Sequence, residues 1–215
     1  MSEKIIAYKA MNPDMPCRGK KYEVGKTYFE DKADCCNAGM HACENPFEVL
    51  RYYPMKDNPR FFEVECGGEI SKSDKGSKLA CTELTVKGEL NFAGMLKATL
   101  DAVFRRVKDK EPFSSGDSST AGTSGNYSTA GTSGYYSTAA ATGPYCRAKA
   151  EGNNSIAVAN GYKSKVKGSV GCYLVLTEYD DDGNFLCADL KFVDGISIKA
   201  DTWYMLKDGL AVESE

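Results

Sequence analysis

The stretch from Gly116 to Ser169 reads, in lines of nine, GDSSTAGTS, GNYSTAGTS, GYYSTAAAT, GPYCRAKAE, GNNSIAVAN and GYKSKVKGS. Glycine opens every line, at Gly116, Gly125, Gly134, Gly143, Gly152 and Gly161. Ser or Cys stands fourth (Ser119, Ser128, Ser137, Cys146, Ser155, Ser164) and Ala or Val sixth (Ala121, Ala130, Ala139, Ala148, Ala157, Val166). The eighth place is again small: Thr123, Thr132, Ala141, Ala150, Ala159 and Gly168. A register held through six copies is the signature of a repeat architecture. Alternate residues of a strand share a face, so each copy offers one narrow inward face of small side chains. Glycine is expected to supply the turn conformation that other residues resist. Strand plus turn then stacks as a parallel β-roll with two copies per coil, or closes a thin coil with symmetry mates. Ala and Ser bury little area at ~25 cal/mol per Å², so such an array needs end caps or partner chains.

The outward positions change along the array. Early copies present Thr120, Thr129 and Thr138; later ones present Arg147, Lys149, Ile156, Val158, Lys165 and Lys167. Ile156 and Val158 fall on the exterior of an isolated roll. Either they form a partner surface, or a flanking segment covers them. Thr120, Thr129, Thr138, Arg147 and Lys149 complete the candidate interface. Calcium-binding nonapeptide rolls carry Asp in every turn, whereas only Asp117 occurs here. The Thr column lapses after Thr138, which argues against an ice-binding face.

Before the array, residues 1–90 read as an α+β domain. Lys4–Lys9 alternates as a strand, and CRGKKYEVGKTYF (17–29) gives turn, strand, turn, strand. Asn45 and Glu48 bracket a capping-box-like start for a short helix from Pro46. Arg60–Cys66 and Leu79–Val86 are further strands. Residues 91–112 form an amphipathic helix introduced by Asn91, with Phe92, Met95, Leu96, Leu100, Val103, Phe104 and Val107 on one face; it is expected to cap the first coil. After the solenoid (113–170), residues 171–215 read as a meander cap: GCYLVLTEY, a DDDGNF turn, Leu186–Val193, then Ile196–Lys199, Trp203–Leu206 and Leu210–Glu213. The fold class is therefore mainly β, with an α+β N-terminal domain, a central nonapeptide-repeat β-solenoid and a small C-terminal β-meander.

Composition narrows the function. With 27 basic and 30 acidic side chains the net charge is −3, which gives no electrostatic reason to expect nucleic acid. The basic group Arg105, Arg106, Lys108 and Lys110 at a helix end suits the helix dipole. No apolar run approaches the roughly 20 residues of a membrane span, and MSEKIIAYKA has no secretory core, so a cytoplasmic location is expected. Nine cysteines in no regular framework read as mostly reduced thiols. His41 is the only histidine, near Cys17, Cys35, Cys36 and Cys43. The spacing C-C-x4-H-x-C is not a standard zinc pattern, so no metal or other cofactor is expected and His41 reads as a partly buried, satisfied residue.

Three blocks carry a resemblance: CRGKKYEVGKTY with GMHACENPFEVLRYY and RFFEVECGGEI; the GxxSxAxA array; and GCYLVLTEYDDDGN with VDGISIKADTWYMLKDGLAVE. Together they resemble a family of unknown function found in phages, prophages and bacteria of the Firmicutes type. The repeat is also similar to the head repeats of trimeric adhesins. The resemblance implies a mobile-element setting and hands over no catalytic residue. The function expected is non-enzymatic: a binding or assembly protein that oligomerises through its solenoid, trimer favoured over dimer. It would engage a host protein or a small ligand, as an inhibitor of bacterial immunity (an anti-CRISPR or a signal sponge). A virion accessory protein is one alternative. The other is an enzyme, since Arg18, Tyr22, His41 and Glu65 resemble the Arg, aromatic and Glu set of ADP-ribosyltransferases and would form an N-terminal pocket for an NAD-like ligand.

Overall fold

In the computed structural model the chain is 48% strand and 11% helix. It describes residues 4–14, 16–17, 19–74, 76–106 and 113–215. Two compact units divide it, Met1–Ala102 and Val103–Glu215.

The first unit contains strands β1 (Ile5–Met11), β2 (Pro16–Cys17), β3 (Lys20–Lys21), β4 (Thr27–Phe29), β5 (Met40–Cys43), β6 (Arg60–Lys72) and β7 (Lys78–Leu90). β1 pairs antiparallel with β6, β6 with β7 and β7 with β5. A bridge between Tyr8 and Cys43 then joins β5 back to β1, closing the sheet on itself. Its interior is filled by Ala7, Met11, Met40, Phe62, Val64, Leu79, Leu84 and Val86. Most of these follow from strand alternation; in β7 the inward face changes phase between Leu79 and Leu84, where the β6–β7 register shifts.

A 3₁₀ helix, Pro46–Arg51, lies after β5. Asn45 does not cap it through its side chain, contrary to the capping-box expectation. Its backbone N–H donates to Ser77 Oγ, and Glu48 turns to accept the N–H of Ser77 at 2.8 Å. The polar pair is spent on tying this turn to the start of β7. Helix α1 (Phe92–Arg106) begins as expected, with Asn91 Oδ1 accepting the N–H of Gly94 at 2.8 Å. The part of that helix expected over residues 107–112 lies outside the described residues.

The second unit is a solenoid of about 4 turns over residues 113–175. Its strands are β8 (Phe113–Ser114), β9 (Thr120–Ser124), β10 (Thr129–Thr132), β11 (Thr138–Thr142), β12 (Arg147–Ala150), β13 (Ile156–Asn160), β14 (Lys165–Gly168) and β15 (Tyr173–Tyr179). Odd and even strands form two separate parallel sheets, because Thr120 pairs with Thr138 and Thr138 with Ile156, while Thr129 pairs with Arg147 and Arg147 with Lys165. Each coil is thus two nonapeptides. The sixth and eighth places face inward, and Ala130, Ala139, Ala141, Ala148, Ala150, Ala157 and Ala159 fill one core.

The glycines act differently from the expectation. Only Gly125 and Gly143 of the six have left-handed φ angles (126° and 120°). The left-handed turn residue is the third of each line: Ser118, Tyr127, Tyr136, Tyr145, Asn154 and Lys163, all with φ between 50° and 59°. Their strain is offset by a regular ladder, since the N–H of Ser118, Tyr127, Tyr136 and Tyr145 each reaches a carbonyl of the next coil. Glycine is required for closeness instead. A Cβ on Gly134 would overlap the carbonyl of Gly116, and one on Gly152 that of Gly134. The serines stitch the same edge. Ser137 Oγ accepts the N–H of Ser119 and can donate to Gly116 O, and Ser155 Oγ repeats this with Ser137 and Gly134.

The array ends by a one-residue slip. Ile156 pairs with Tyr173, seventeen residues on rather than eighteen. Strand β15 turns back as β16 (Phe185–Phe192), and β17 (Tyr204–Lys207) pairs antiparallel with β14 and with β18 (Leu210–Glu213). Leu174, Leu176, Val193, Ile198, Tyr204 and Leu206 join the alanine core here, giving the end cap larger apolar side chains than the coils have. Residues 196–199 are not the expected strand. The carboxylate of Asp194 accepts the N–H groups of Ile196, Ser197 and Ile198 at 2.8–3.0 Å, which curls the segment into a loop. Asp180 is occupied in the same way by the N–H groups of Asp182 and Asn184.

Gly152→Ala is expected to lower unfolding free energy by about 1–3 kcal/mol or more, since the added methyl overpacks a backbone contact. Gly116→Ala, where nothing lies within 4 Å of the added Cβ, is expected to change little. Thermal unfolding of the two variants checks this, and equal losses would refute the close-stacking role.

Candidate functional site

Strand β1 places an unusual residue in the closed sheet. Ala7 and Met11 point into the core, so Lys9 between them must point there too. It stands across from Phe62, a fully buried residue of β6. Lys9 is only 5% exposed. Its Nζ donates to His41 O at 2.9 Å and lies 5.1 Å from the centre of the Tyr22 ring. Among the described residues no carboxylate pairs with it.

Lys9 lines a cavity of about 590 Å³ within the N-terminal unit. One wall comes from the segment 17–30. Here Tyr22 packs on Tyr28 with ring centres 4.8 Å apart, and Lys20 pairs with Glu30. The opposite wall is 37–43, carrying His41. The 3₁₀ helix and its exit supply Val49, Tyr52 and Tyr53. Cys17 Sγ and Tyr53 Oη are 3.0 Å apart across the two walls. Lys78 stands 4.5 Å from the Tyr52 ring centre, with its Nζ 3.6 Å from Cys36 Sγ. Lys9, Lys20 and Lys78 thus face one lining carboxylate, Glu30. Burial holds the Tyr22 phenol above its ordinary range, so this ring stays a neutral surface.

Two of the four expected N-terminal pocket residues meet here, Tyr22 and His41. Arg18 lies outside the described residues. Glu65 is a correction. Val64 and Cys66 take the core face of β6, so Glu65 takes the other, where Lys4 at 2.8 Å and Lys87 at 3.1 Å hold it. The Arg, aromatic and Glu arrangement therefore does not assemble around the cavity. His41 Nε2 accepts the N–H of Cys36 at 2.9 Å, which engages that nitrogen as an acceptor. Among the described residues no three His, Cys, Asp or Glu side chains converge as a metal site.

The expected solenoid interface divides. Thr120, Thr138, Ile156 and Val158 lie outward on the odd-stranded sheet, and Thr129, Arg147 and Lys149 outward on the even-stranded one. No single surface contains them. Thr138, Ile156 and Val158 are 1%, 2% and 0% exposed, so the chain itself covers them and they do not form an open partner surface. The even sheet stays accessible. Trp203 lies 5.6 Å from the Arg147 guanidinium and 5.1 Å from Lys167 Nζ, while Lys149 pairs with Glu151 and Lys165 donates to the Glu215 carbonyl.

A reading of sequence alone misses Lys9, Lys78, Tyr52 and Tyr53. For Lys9 a signal exists: in IIAYKAM it occupies a position in phase with two apolar residues. The others come from distant segments.

A family model described as a domain of unknown function (DUF7666) matches residues 5–98. That span lies within the first compact unit and contains every residue lining the cavity. No curated protein and no solved structure matches the chain.

Beside Lys78, Cys36 is exposed, whereas burial and the neighbouring Cys36 push the Cys35 thiol up to about 11. Iodoacetamide near neutral pH is expected to modify Cys36 before Cys35. Cys35 labelling should rise with pH, as its thiolate fraction grows about tenfold per unit below its pKa. Peptide mass mapping checks the order.

Proposed function

We propose that this chain is a non-enzymatic binding protein whose N-terminal domain takes a small ligand into its cavity, with the solenoid as a scaffold. The observation that carries this reading is the cavity of about 590 Å³, lined by tyrosines, lysines and His41 and walled by five separate chain segments. Its size suits a small organic molecule. The displacement of Glu65 from Tyr22 and His41 favours binding over ADP-ribosyl transfer. The covering of Ile156 and Val158 favours a small ligand over a protein docked on that face. In a mobile-element setting the corresponding role is a sponge that withdraws a small signal from the host, rather than an anti-CRISPR gripping a protein.

Thermal unfolding of the full chain against a library of metabolites tests this. A true ligand at ~100 times its Kd should raise Tm by about 5–10 °C, and Ala38→Trp, which fills the cavity wall, should erase the shift. A library with no ligand sensitive to Ala38→Trp would count against the reading.

Self-association through the solenoid belongs to the same proposal. Strands β8 and β9 end their sheets, and unpaired edges are templates for another chain. Light scattering at micromolar concentration is expected to give a multiple of the chain mass, with the trimer favoured over the dimer. A monomer would remove the assembly role and leave the cavity reading intact.

A further inference from the structure

A lysine inside a closed sheet demands a reason. Transferring an ammonium from water into an apolar interior is costly unless the charge is paired and its donors are satisfied. Lys9 has three N–H donors. One goes to His41 O, the Tyr22 ring faces another side of the group, and no carboxylate answers the charge among the described residues. The carbonyl and the ring are weak counterparts for the charge of a residue that is only 5% exposed. A purely structural tie to His41 would be served as well by a neutral donor, and a leucine or methionine would fit the apolar side of Phe62 better. The position also opens on this cavity of about 590 Å³, and not on packed side chains alone.

The rest of the lining has the same sign. Lys20 is answered by Glu30. Lys78 rests on the Tyr52 ring and beside Cys36 Sγ, without a carboxylate among the described residues. The cavity thus holds one buried and one partly exposed ammonium with no carboxylate partner among the described residues, around aromatic and apolar walls from Tyr22, Tyr52, Tyr53 and Val49.

We infer that the ligand of this cavity is a small organic anion, its carboxylate or phosphate oxygens accepting from Lys9 Nζ and its ring or chain lying against the tyrosines, with Lys78 as a second cation. The inference rests on the binding reading above and adds the ligand's charge and its anchoring residue. At a residue as buried as Lys9 a charge-assisted hydrogen bond is short and strong, so charge should dominate selection among molecules of similar shape.

The test pairs anions with neutral counterparts: AMP with adenosine, and benzoate with benzyl alcohol. Each is titrated calorimetrically into the full chain, Lys9→Met and Lys78→Gln, with thermal unfolding of each protein alone. At least one anion is expected to bind the wild type roughly tenfold or more tighter than its neutral partner, the size of a lost charged hydrogen bond. Preference for AMP or for benzoate identifies phosphate or carboxylate as the headgroup. Lys9→Met should lose that advantage while unfolding at the wild-type temperature or above, because an unpaired buried charge has been replaced by an apolar chain of similar length. Lys78→Gln should show a smaller loss. If neutral partners bind as well as the anions, or Lys9→Met binds the anions as the wild type does, the charge inference falls while the binding reading stands. If no anion binds at millimolar concentration and Lys9→Met unfolds well below the wild type, Lys9 is a structural residue and the inference falls. The library experiment with Ala38→Trp then decides the binding reading separately.

Discussion

The solenoid depends on one contact, the approach of a glycine to the carbonyl of the glycine two repeats before it. At Gly134 and Gly152 no side chain fits between successive coils. That closeness brings Ser137 and Ser155 within hydrogen-bond reach of the neighbouring turn and fixes the pairing of each residue with the one eighteen further on. The inward alanines then need to fill only a thin space. A repeated backbone and hydroxyl ladder adds to an apolar area that is small for Ala. It also explains why Tyr127, Tyr136, Tyr145 and Asn154 tolerate left-handed conformations that are ordinarily unfavourable. The Tyr127 and Tyr145 rings stack 4.9 Å apart along the outside of these turns.

Such a stack must be stopped. Near its C-terminal end the slip at Tyr173 and the antiparallel strand β17 end the parallel pairing, and Leu174, Tyr204 and Leu206 close the core. Glu178 holds the β17–β18 turn by accepting the N–H groups of Asp208 and Gly209, which keeps its carboxyl below the usual range. The cap is therefore locked by charge-assisted backbone bonds as well as by burial.

The N-terminal unit obeys a different constraint. Its sheet closes on itself, so a strand's inward face meets other inward faces and has no solvent to escape to. A charge placed there must meet something polar. Lys9 meets a carbonyl, a ring and a cavity. The same closure sends Glu65 outward to Lys4 and Lys87, separating it from Tyr22 and His41. One geometric fact thus both dissolves the enzyme-like constellation and creates the cationic cavity.

What the sequence determined by itself was everything with a local period. The nonapeptide register, the inward Ser and Ala columns, the start of α1 at Asn91 and the hairpin after Tyr179 follow from alternation, small-residue spacing and turn chemistry. It misassigned the glycines, because a turn conformation and a close approach select the same residue. It left Ile156 and Val158 as either a partner face or a covered patch, because alternation tells which way a side chain points and not what lies beyond it. Only the tertiary structure decided that they are covered, that Asp194 curls residues 196–199, and that Lys9, Tyr22, His41 and Lys78 share one cavity. The cavity is a relation between segments far apart in the chain, and closing the N-terminal sheet is what brings them together.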